Sequence, residues 1–169
     1  MRCSPSAAST PPGDNAAMKR HWLMKSEPDE FSIDALAKVR REPWSGVRNY
    51  QARNFMMKDM RPGDAILFYH SNCAVPGVAG VAEVVGDAYP DPTQFQPKSD
   101  YYDAASKPEQ PRWWLVDVGF KRKFKRVVAL DELRTQADAL GDFALLNRGN
   151  RLSVLPVTPA QFAFILSLE

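Results

Sequence analysis

The sequence predicts an α+β domain in which a curved, mostly antiparallel sheet closes toward a barrel and short helices pack around it. Two observations carry this prediction. Segments with strand character are scattered among short helical segments, without the regular alternation of parallel α/β folds. In addition, 44% of the 169 residues are hydrophobic, which is enough for one core, and the charged fraction of 25% is ordinary for a soluble protein.

The individual elements follow from local patterns of apolar, turn and capping residues. Ser32 precedes apolar residues at helical spacing and is a suitable N-cap, and Pro43 is expected to end that helix. Gly80, inside a strand, indicates a bulge or a close backbone approach. Besides the helix after Ser32, helices are expected at 50–57, 131–139 and 159–168, strands at 21–25, 65–70, 78–85, 113–128 and 151–157, and ordered loops at 44–49 and 89–111.

The first 17 residues are small, polar and proline-bearing, and they are predicted to form a disordered tail before a single domain at 18–169. The tail lacks the apolar centre of a signal peptide, and no apolar run approaches the ~20 residues that cross a bilayer. We therefore expect no membrane contact. We also expect a monomer. Its expected location is the cytoplasm, with the nucleoid as a further site in bacteria and the nucleus in a eukaryotic cell.

Several kinds of site are not indicated by the residue types. Cys3, Cys73, His21 and His70 do not form a zinc-binding pattern, so neither a metal nor a cofactor is predicted. The sequence contains no GxxxxGK[ST], GxGxxG, GxSxG or HExxH motif, so no motif indicates one of the common enzyme classes. A net charge of +2 permits an anionic partner but does not require one, so a nucleic-acid role depends on specific residues.

The segment Lys25-Ser26-Glu27-Pro28 follows the first expected strand. It offers a cation, a hydroxyl and a carboxylate, which can supply donors and acceptors to the edge of a planar heterocycle. An ordinary solvated turn has the same residue types.

A second candidate is the polar loop that begins with Trp44 and contains Ser45, Arg48 and Asn49. The indole is either a lid on the core or a surface on which a base stacks. The three polar neighbours can hydrogen-bond a base or a phosphate.

Two further segments contribute candidates. Strand alternation places Tyr69 on one face of its strand and Phe68 and His70 on the other, and His70 lacks a visible nucleophile partner, so hydrogen bonding is its expected task. The glycine turn 147–151, with an arginine at 148 and at 151, is either a phosphate contact or a charged connection. The basic run 121–126 is a weaker candidate for the same contact.

The order of five motifs resembles the EVE domain family. These motifs are W-L-M-K-S-E-P, W-S-G-V-R-N-Y-Q-A-R-N, F-Y-H-S, Y-Y-D and G-N-R-L-S-V-L-P-V, and the match runs from about His21 to the C-terminus. The tandem of K-S-E-P and W-x-G-V-R-N-Y-Q-A-R-N is specific. This family belongs to the PUA-like group, so the resemblance implies a PUA-like, mixed, mostly antiparallel barrel of five or six strands flanked by short helices.

The family is also similar to the YTH domain, which encloses a methylated adenine in an aromatic cage. By that likeness Trp44 stands where a cage tryptophan stands, with Ser45 beside it, and Lys25 and Ser26 match the polar pair after the first strand. Glu27 departs from the asparagine of YTH proteins. The resemblance implies a non-catalytic domain that binds DNA or RNA and recognises a modified nucleobase, modified cytosine in the first place and methylated adenine in the second.

The candidate site residues fall into a base-binding set and a backbone-binding set. Tyr102, in the long loop, is expected to form a second aromatic wall. The base-binding set is Trp44, Ser45, Asn49, Lys25, Ser26, Glu27, Pro28, Tyr69, His70 and Tyr102, and the backbone-binding set is Arg48, Arg53, Arg148 and Arg151. The alternative is a small hydrolase of acylated nucleosides, similar to ASCH-type proteins, that uses Lys25, Ser26 and Glu27. A third interpretation is a purely structural, partner-binding domain in which Trp44 is part of the core.

Overall fold

The structure, a computed structural model, describes residues 19–169, so the tail expected over residues 1–17 and the expected start at Met18 lie outside the described residues. The strands are β1 (His21–Ser26), β2 (Arg41–Pro43), β3 (Ala65–His70), β4 (Gly77–Pro90), β5 (Trp114–Ala129) and β6 (Val154–Val157). The helices are α1 (Ile33–Val39), α2 (Tyr50–Asn54), α3 (Leu130–Thr135), α4 (Ala137–Leu140) and α5 (Pro159–Leu168). Shorter helical turns lie at Phe55–Asp59, Pro92–Phe95 and Ala144–Leu146.

All six strands join one sheet, in the order β2-β5-β4-β3-β1-β6. β1 and β3 are parallel, and every other neighbouring pair is antiparallel. The α+β class and the mostly antiparallel sheet that the sequence predicts are therefore confirmed. The sheet is open, however, because its outer strands β2 and β6 are not paired with each other, so the expected barrel does not close.

Each face of the sheet carries its own hydrophobic core. Alternation along β3 sends Ile66 and Phe68 to one core and Leu67 and Tyr69 to the other, as the sequence predicts. Apolar residues of α1 and α2 cover the first core, and apolar residues of α3, α4 and α5 cover the second. The central strands are thus buried on both sides, which fixes their ends in space.

The first helix ends earlier than the sequence predicts. Ser32 caps it, since its side chain accepts a hydrogen bond from Ala35 N, but the helix stops at Val39 rather than at Pro43. Arg40 adopts a left-handed conformation (φ 68°) and donates its N–H to Leu36 O, a C-terminal cap that redirects the chain. Pro43 then lies in β2, an edge strand, where the missing N–H of proline is tolerated.

The long strand β4 contains the bulge that Gly80 indicates. Its pairing with β5 shifts register between Val78 and Gly80, and a Cβ at Gly80 would lie 2.5 Å from the carbonyl oxygen of Arg122. β4 continues to Pro90, past the expected end at Val85, because a further register shift lets it pair with β5 again. The start of the expected loop 89–111 is therefore part of the sheet.

Other boundaries differ by a few residues. The helix expected at 50–57 is a short α-helix continued by a π-helical turn, and the one expected at 131–139 is broken at Gln136. β6 begins at Val154 instead of 151. The closing helix agrees with the prediction and begins with a capping box between Thr158 and Gln161.

Candidate functional site

A cavity of about 580 Å³ opens where the parallel strands β1 and β3 end. We call it the first cavity. Its lining comes from the end of β1, the loop after β2, the long loop before β5 and the segment before β6. The lining residues are 25–27, 30, 31, 42–48, 71, 101, 151 and 153.

Three aromatic side chains from three separate segments line this cavity. They are Phe31, which precedes α1, Trp44, which follows β2, and Tyr101, in the loop between β4 and β5. Such a volume lies within the range of ~300–1,000 Å³ typical of small-molecule sites. Sequence reasoning missed Phe31 and Tyr101, since an aromatic residue beside a helix start or in an irregular loop carries no directional signal.

Trp44 combines the two roles that the sequence leaves open. Its side chain is 8% exposed and packs edge-on against Phe68 below it, with ring centres 5.6 Å apart, and against Phe31 at 6.4 Å. Its backbone N–H donates to Val116 O on β5 (3.0 Å). The indole is thus part of the first core and, with its remaining surface, part of the cavity wall.

The loop after Trp44 is held by a buried carboxylate, Asp91. This side chain is 1% exposed and accepts hydrogen bonds from the backbone N–H of Gly46 (2.8 Å), from Arg48 Nη1 (3.0 Å) and from Thr93. Burial alone would raise the pKa of Asp91, but the hydrogen bonds from Thr93, Gly46 and Arg48 outweigh it, so the pKa lies below its ordinary value. Asp91 is therefore ionised near neutral pH.

Arg48 is fully engaged inside the protein. Besides Asp91, its guanidinium donates to Thr93 Oγ1 (3.1 Å) and to the carbonyl oxygen of Tyr101 (2.7 Å). These contacts join the loop after β2 to the loop that carries Tyr101. The contact to a nucleic-acid backbone that the sequence predicts for Arg48 stays a prediction, and it would compete with these partners.

The loop that carries Tyr101 is braced by Gln94, which is fully buried. Its Nε2 donates to the carbonyl oxygens of Asp91 (2.7 Å) and Trp113 (2.8 Å), and its Oε1 accepts from Ser106 Oγ (2.6 Å) and Trp113 N (3.1 Å). All four hydrogen-bonding positions of the amide group are used. Tyr101 is thus presented to the cavity by a fixed frame.

The polar residues at the end of β1 do not converge on one point. Ser26 Oγ donates to Phe31 O (2.6 Å), and Glu27 Oε1 accepts from Asn72 Nδ2 (3.0 Å). Lys25 Nζ lies 5.9 Å from the centre of the Tyr69 ring, and burial lowers the pKa of Lys25 below its ordinary value. Among the described residues the Ser26 hydroxyl is hydrogen-bonded to a carbonyl oxygen and not to a base, which a nucleophile would need.

Several predicted base-binding residues lie outside the lining of the first cavity. Asn49 caps α2 by accepting from Ala52 N (3.0 Å), and His70 Nε2 accepts from Ile33 N (3.1 Å) at the start of α1. Pro28 does not line the cavity, and Tyr102, 45% exposed, is replaced there by its neighbour Tyr101.

The predicted backbone-binding arginines are dispersed. Arg151 lines the first cavity, and Arg53 donates to the carbonyl oxygen of Arg112 (2.8 Å) outside it. Arg148 and the predicted base-binding residue Tyr69 line a neighbouring cavity of about 380 Å³, which we call the second cavity. Lys25 lines both cavities.

The basic run 121–126 is largely neutralised by carboxylates. Lys121 pairs with Glu83 (3.3 Å), and Lys123 with Asp34 (2.8 Å). Arg122 and Arg126 pair with Glu169 and Glu132. Lys125 is left without an ion pair among the described residues. The run thus connects strand β5 to its neighbours, which weakens its candidacy as a nucleic-acid contact.

Neither a metal centre nor a membrane segment is found within residues 19–169. No group of three or more His, Cys, Asp or Glu side chains in this part of the chain is placed to hold a metal ion. No helix in the same part is long and apolar enough to cross a membrane.

The open mixed sheet and the aromatic cavity at the end of its parallel pair define the class: an α+β domain with a ligand-sized aromatic cavity at the edge of its sheet. The sequence matches the EVE domain over residues 20–168. The chain belongs to the EVE domain family.

Two curated relatives cover most of the chain. Human thymocyte nuclear protein 1 is 44% identical over an alignment of 170 positions that covers 90% of this chain and 75% of the relative. Thymocyte nuclear protein 1 of Danio rerio is 46% identical and covers 88% of this chain and 71% of its own length.

Two solved structures have the same fold. A protein from Pseudomonas syringae is 50% identical, with a TM-score of 0.84 over 88% of this chain and 98% of its own. The human THYN1 protein, solved in complex with 5-methylcytosine-containing DNA, is 43% identical, with a TM-score of 0.84 over 89% of this chain and 97% of its own.

Proposed function

We propose that this chain is a non-catalytic nucleic-acid-binding domain that receives a modified nucleobase in the first cavity. The observation that carries the proposal is the meeting of Phe31, Trp44 and Tyr101 on one ligand-sized cavity. Aromatic rings bind the flat face of a base, and each base–ring stack contributes about 1–3 kcal/mol in single-stranded complexes. The human relative solved with 5-methylcytosine-containing DNA supports nucleic acid as the partner.

The polar lining favours a base that carries an exocyclic amine. Three carboxylates, Glu27, Glu30 and Glu42, line the first cavity. Carboxylates accept hydrogen bonds from the N4 amine of cytosine, and adenine carries a comparable amine at N6. Burial and the nearby charge of Asp117 raise the pKa of Glu42 above its ordinary value.

A modification on the base adds to binding through the hydrophobic effect. Burying one additional methyl-sized group is favourable by about 0.8 kcal/mol, whereas taking a base out of a duplex costs a few kcal/mol. A modified cytosine therefore gains affinity over cytosine only modestly. Arg151 lines the first cavity and forms no ion pair among the described residues, so it can contact a phosphate of the bound strand.

The hydrolase alternative lacks a specific observation in its favour. Ser26 donates its hydroxyl hydrogen to a carbonyl oxygen, and Glu27 is bound to Asn72. Deacylation would require a base that accepts the Ser26 proton, whereas among the described residues the acceptor of this hydroxyl is the carbonyl oxygen of Phe31. Monomeric state, RNA as a partner and the cytoplasmic or nuclear location stay predictions.

The proposal is tested by measuring the affinity for matched DNA duplexes with 5-methylcytosine or cytosine at one position, using fluorescence anisotropy. Tyr101→Ala should weaken binding of the modified duplex by about 5- to 100-fold, because one stacking surface is lost. Tyr102→Ala, at a neighbour of similar exposure (45% against 39% for Tyr101) outside the cavity, should keep wild-type affinity. Equal affinities of all three proteins, or turnover of acylated cytidine by the wild type, would contradict the proposal.

A further inference from the structure

The second cavity has a charge pattern opposite to that of the first. Its polar lining consists of Lys25, Tyr69, Arg134, Asn147, Arg148 and Asn150, over a floor of leucine side chains. No carboxylate is part of this lining, whereas three glutamates line the first cavity. The two cavities therefore select different chemistry: the first suits an amine-bearing heterocycle, and the second suits an anion.

The cations of the second cavity are available for a ligand. Neither Lys25 nor Arg148 forms an ion pair with another described residue, and Arg134 pairs only with exposed Asp131 on the same helix (3.1 Å). An exposed pair of this kind contributes little and is readily exchanged for a better partner. Burial lowers the pKa of Lys25, so an anion at its amino group would relieve a cost that the unliganded protein carries.

Tyr69 supplies a hydroxyl group that the fold does not use. The residue is 3% exposed and lines the second cavity, yet its hydroxyl makes no hydrogen bond within residues 19–169. The hydroxyl oxygen is not among the buried polar atoms that lack a partner, so it reaches the open space of the cavity, where it can donate to a ligand. Burial raises the pKa of Tyr69 to about 12, which keeps the hydroxyl protonated and able to donate near neutral pH.

The turn that presents Arg148 is already ordered. Asn150 Nδ2 donates to Ala144 O (2.7 Å), and Asn150 Oδ1 accepts from Leu152 N (2.9 Å). Gly149 adopts a positive φ of 76°, which glycine allows without strain. A fixed turn reduces the entropy that ordering Arg148 would cost on binding.

We propose that the second cavity binds a phosphate group of the nucleotide whose base occupies the first cavity, with Tyr69, Arg148 and Lys25 as its donors. This inference rests on the proposed function and adds a second, separate binding site to it. Lys25 lines both cavities, so they share a wall, and the proposal places the base on one side of this side chain and the phosphate on the other. Charge-assisted hydrogen bonds to phosphate are the strong ones among polar contacts.

The test compares 5-methyl-2′-deoxycytidine with its 5′- and 3′-monophosphates by calorimetry. One monophosphate should bind about tenfold more tightly than the nucleoside, as expected for one net charge-assisted contact. Tyr69→Phe and Arg148→Gln should reduce this ratio to about threefold or less. Lys125→Gln, which removes a positive charge outside both cavities, should leave the ratio unchanged. Equal affinities of the nucleoside and both monophosphates would overturn the inference, as would a ratio that neither cavity variant changes.

A second measurement separates this inference from the proposed function. Inorganic phosphate, titrated into ¹⁵N-labelled protein, should shift the backbone amide signals of Gly149 and Asn150, and the nucleoside should shift those of Ser45 and Gly46. If no nucleoside or oligonucleotide binds, the proposed function is rejected. The titration with inorganic phosphate then still tests whether the second cavity binds phosphate. Absence of phosphate shifts at 149 and 150, or equal shifts with acetate, would overturn the phosphate site.

Discussion

The ring of Tyr101 lies against the backbone of Gly46, so closely that a Cβ atom on Gly46 would come within 2.6 Å of the ring carbon Cζ. Gly46 also has a φ of 86°, which side-chain-bearing residues rarely adopt. Because of the close ring and the left-handed backbone, a residue larger than glycine at position 46 would distort the cavity wall. The contact sets the distance between the loop after β2 and the loop before β5.

Gly46→Ala is expected to displace Tyr101 and to weaken ligand binding. The left-handed backbone conformation alone should cost about 1–2 kcal/mol of unfolding free energy. Gly63→Ala is the matched control, because Gly63 has a φ of 92° and no atom within 4 Å of the added Cβ. Both variants should lose stability in urea denaturation, but only Gly46→Ala should lose affinity for a 5-methylcytosine duplex. A parallel loss of affinity in both would show that Tyr101 is not positioned by Gly46.

Asp91→Asn is expected to destabilise the protein by about 2–4 kcal/mol, because Arg48 loses its charged partner in a buried place. The pKa of Asp91 is lowered by folding, so its contribution is complete above the ordinary pKa of 3.8 and is lost as the pH falls through the lower folded value. Urea denaturation between about pH 2 and about pH 7 checks this. Asp91→Asn should show a smaller loss of stability in acid than the wild type. An identical acid dependence would contradict the ionised state of Asp91.

His70 is expected to make stability depend on pH near neutrality. Its Nε2 accepts a hydrogen bond from Ile33 N, which requires the neutral ring. Burial lowers the pKa of His70, and Lys123 lowers it a little further. Asp34 raises this pKa but does not outweigh burial. A lowered pKa means that the contribution is complete above the ordinary value of 6.5 and is lost as the pH falls through the folded value. His70→Gln, whose amide oxygen can accept the same hydrogen bond without titrating, should have a smaller slope of unfolding free energy between about pH 7.5 and about pH 5.5. Part of the slope that remains in His70→Gln comes from the titration of His21, because burial also lowers the pKa of that residue.

Phe68→Ala is expected to remove the support beneath Trp44. The side chain is fully buried and meets the indole edge-on, so the cavity left behind should cost about 3–5 kcal/mol of unfolding free energy. Phe68→Leu, which fills most of the space, should cost less and keep near-wild-type affinity for nucleic acid. The checks are urea denaturation and duplex binding of both variants. Unchanged affinity in a folded Phe68→Ala protein would mean that the indole position does not matter for the ligand.

Sequence reasoning located the parts of the site that lie next to regular elements. Lys25, Ser26 and Glu27 follow a strand whose apolar pattern is clear, and Trp44 and Ser45 belong to a motif that the family resemblance makes specific. These residues do line one cavity. The α+β class and the central residues of most strands and helices were predicted for the same reason, because apolar residues repeat with a different period in a strand and in a helix.

What escaped prediction depends on contacts between distant segments. Tyr101 and Tyr102 are adjacent in an irregular loop, and it is Tyr101 whose carbonyl oxygen accepts from Arg48 and whose ring lies against Gly46 in the cavity wall. Glu42 lies in an edge strand that reads as the end of a helix, because the left-handed cap at Arg40 leaves no local sequence signal. Arg48 reads as a free cation until its carboxylate partner, Asp91, is known.

The parallel alignment of β1 and β3 has a consequence for how such a domain can change over time. Both strands end at the same edge, so the segments that follow them, together with the loop after β2, meet there without contributing to sheet pairing. Substitutions in these segments can alter which ligand is accepted while the strands keep their register. The sheet thus determines the fold, whereas the loops at its edge determine which ligand is bound. Related chains can therefore differ in ligand specificity through a few loop positions.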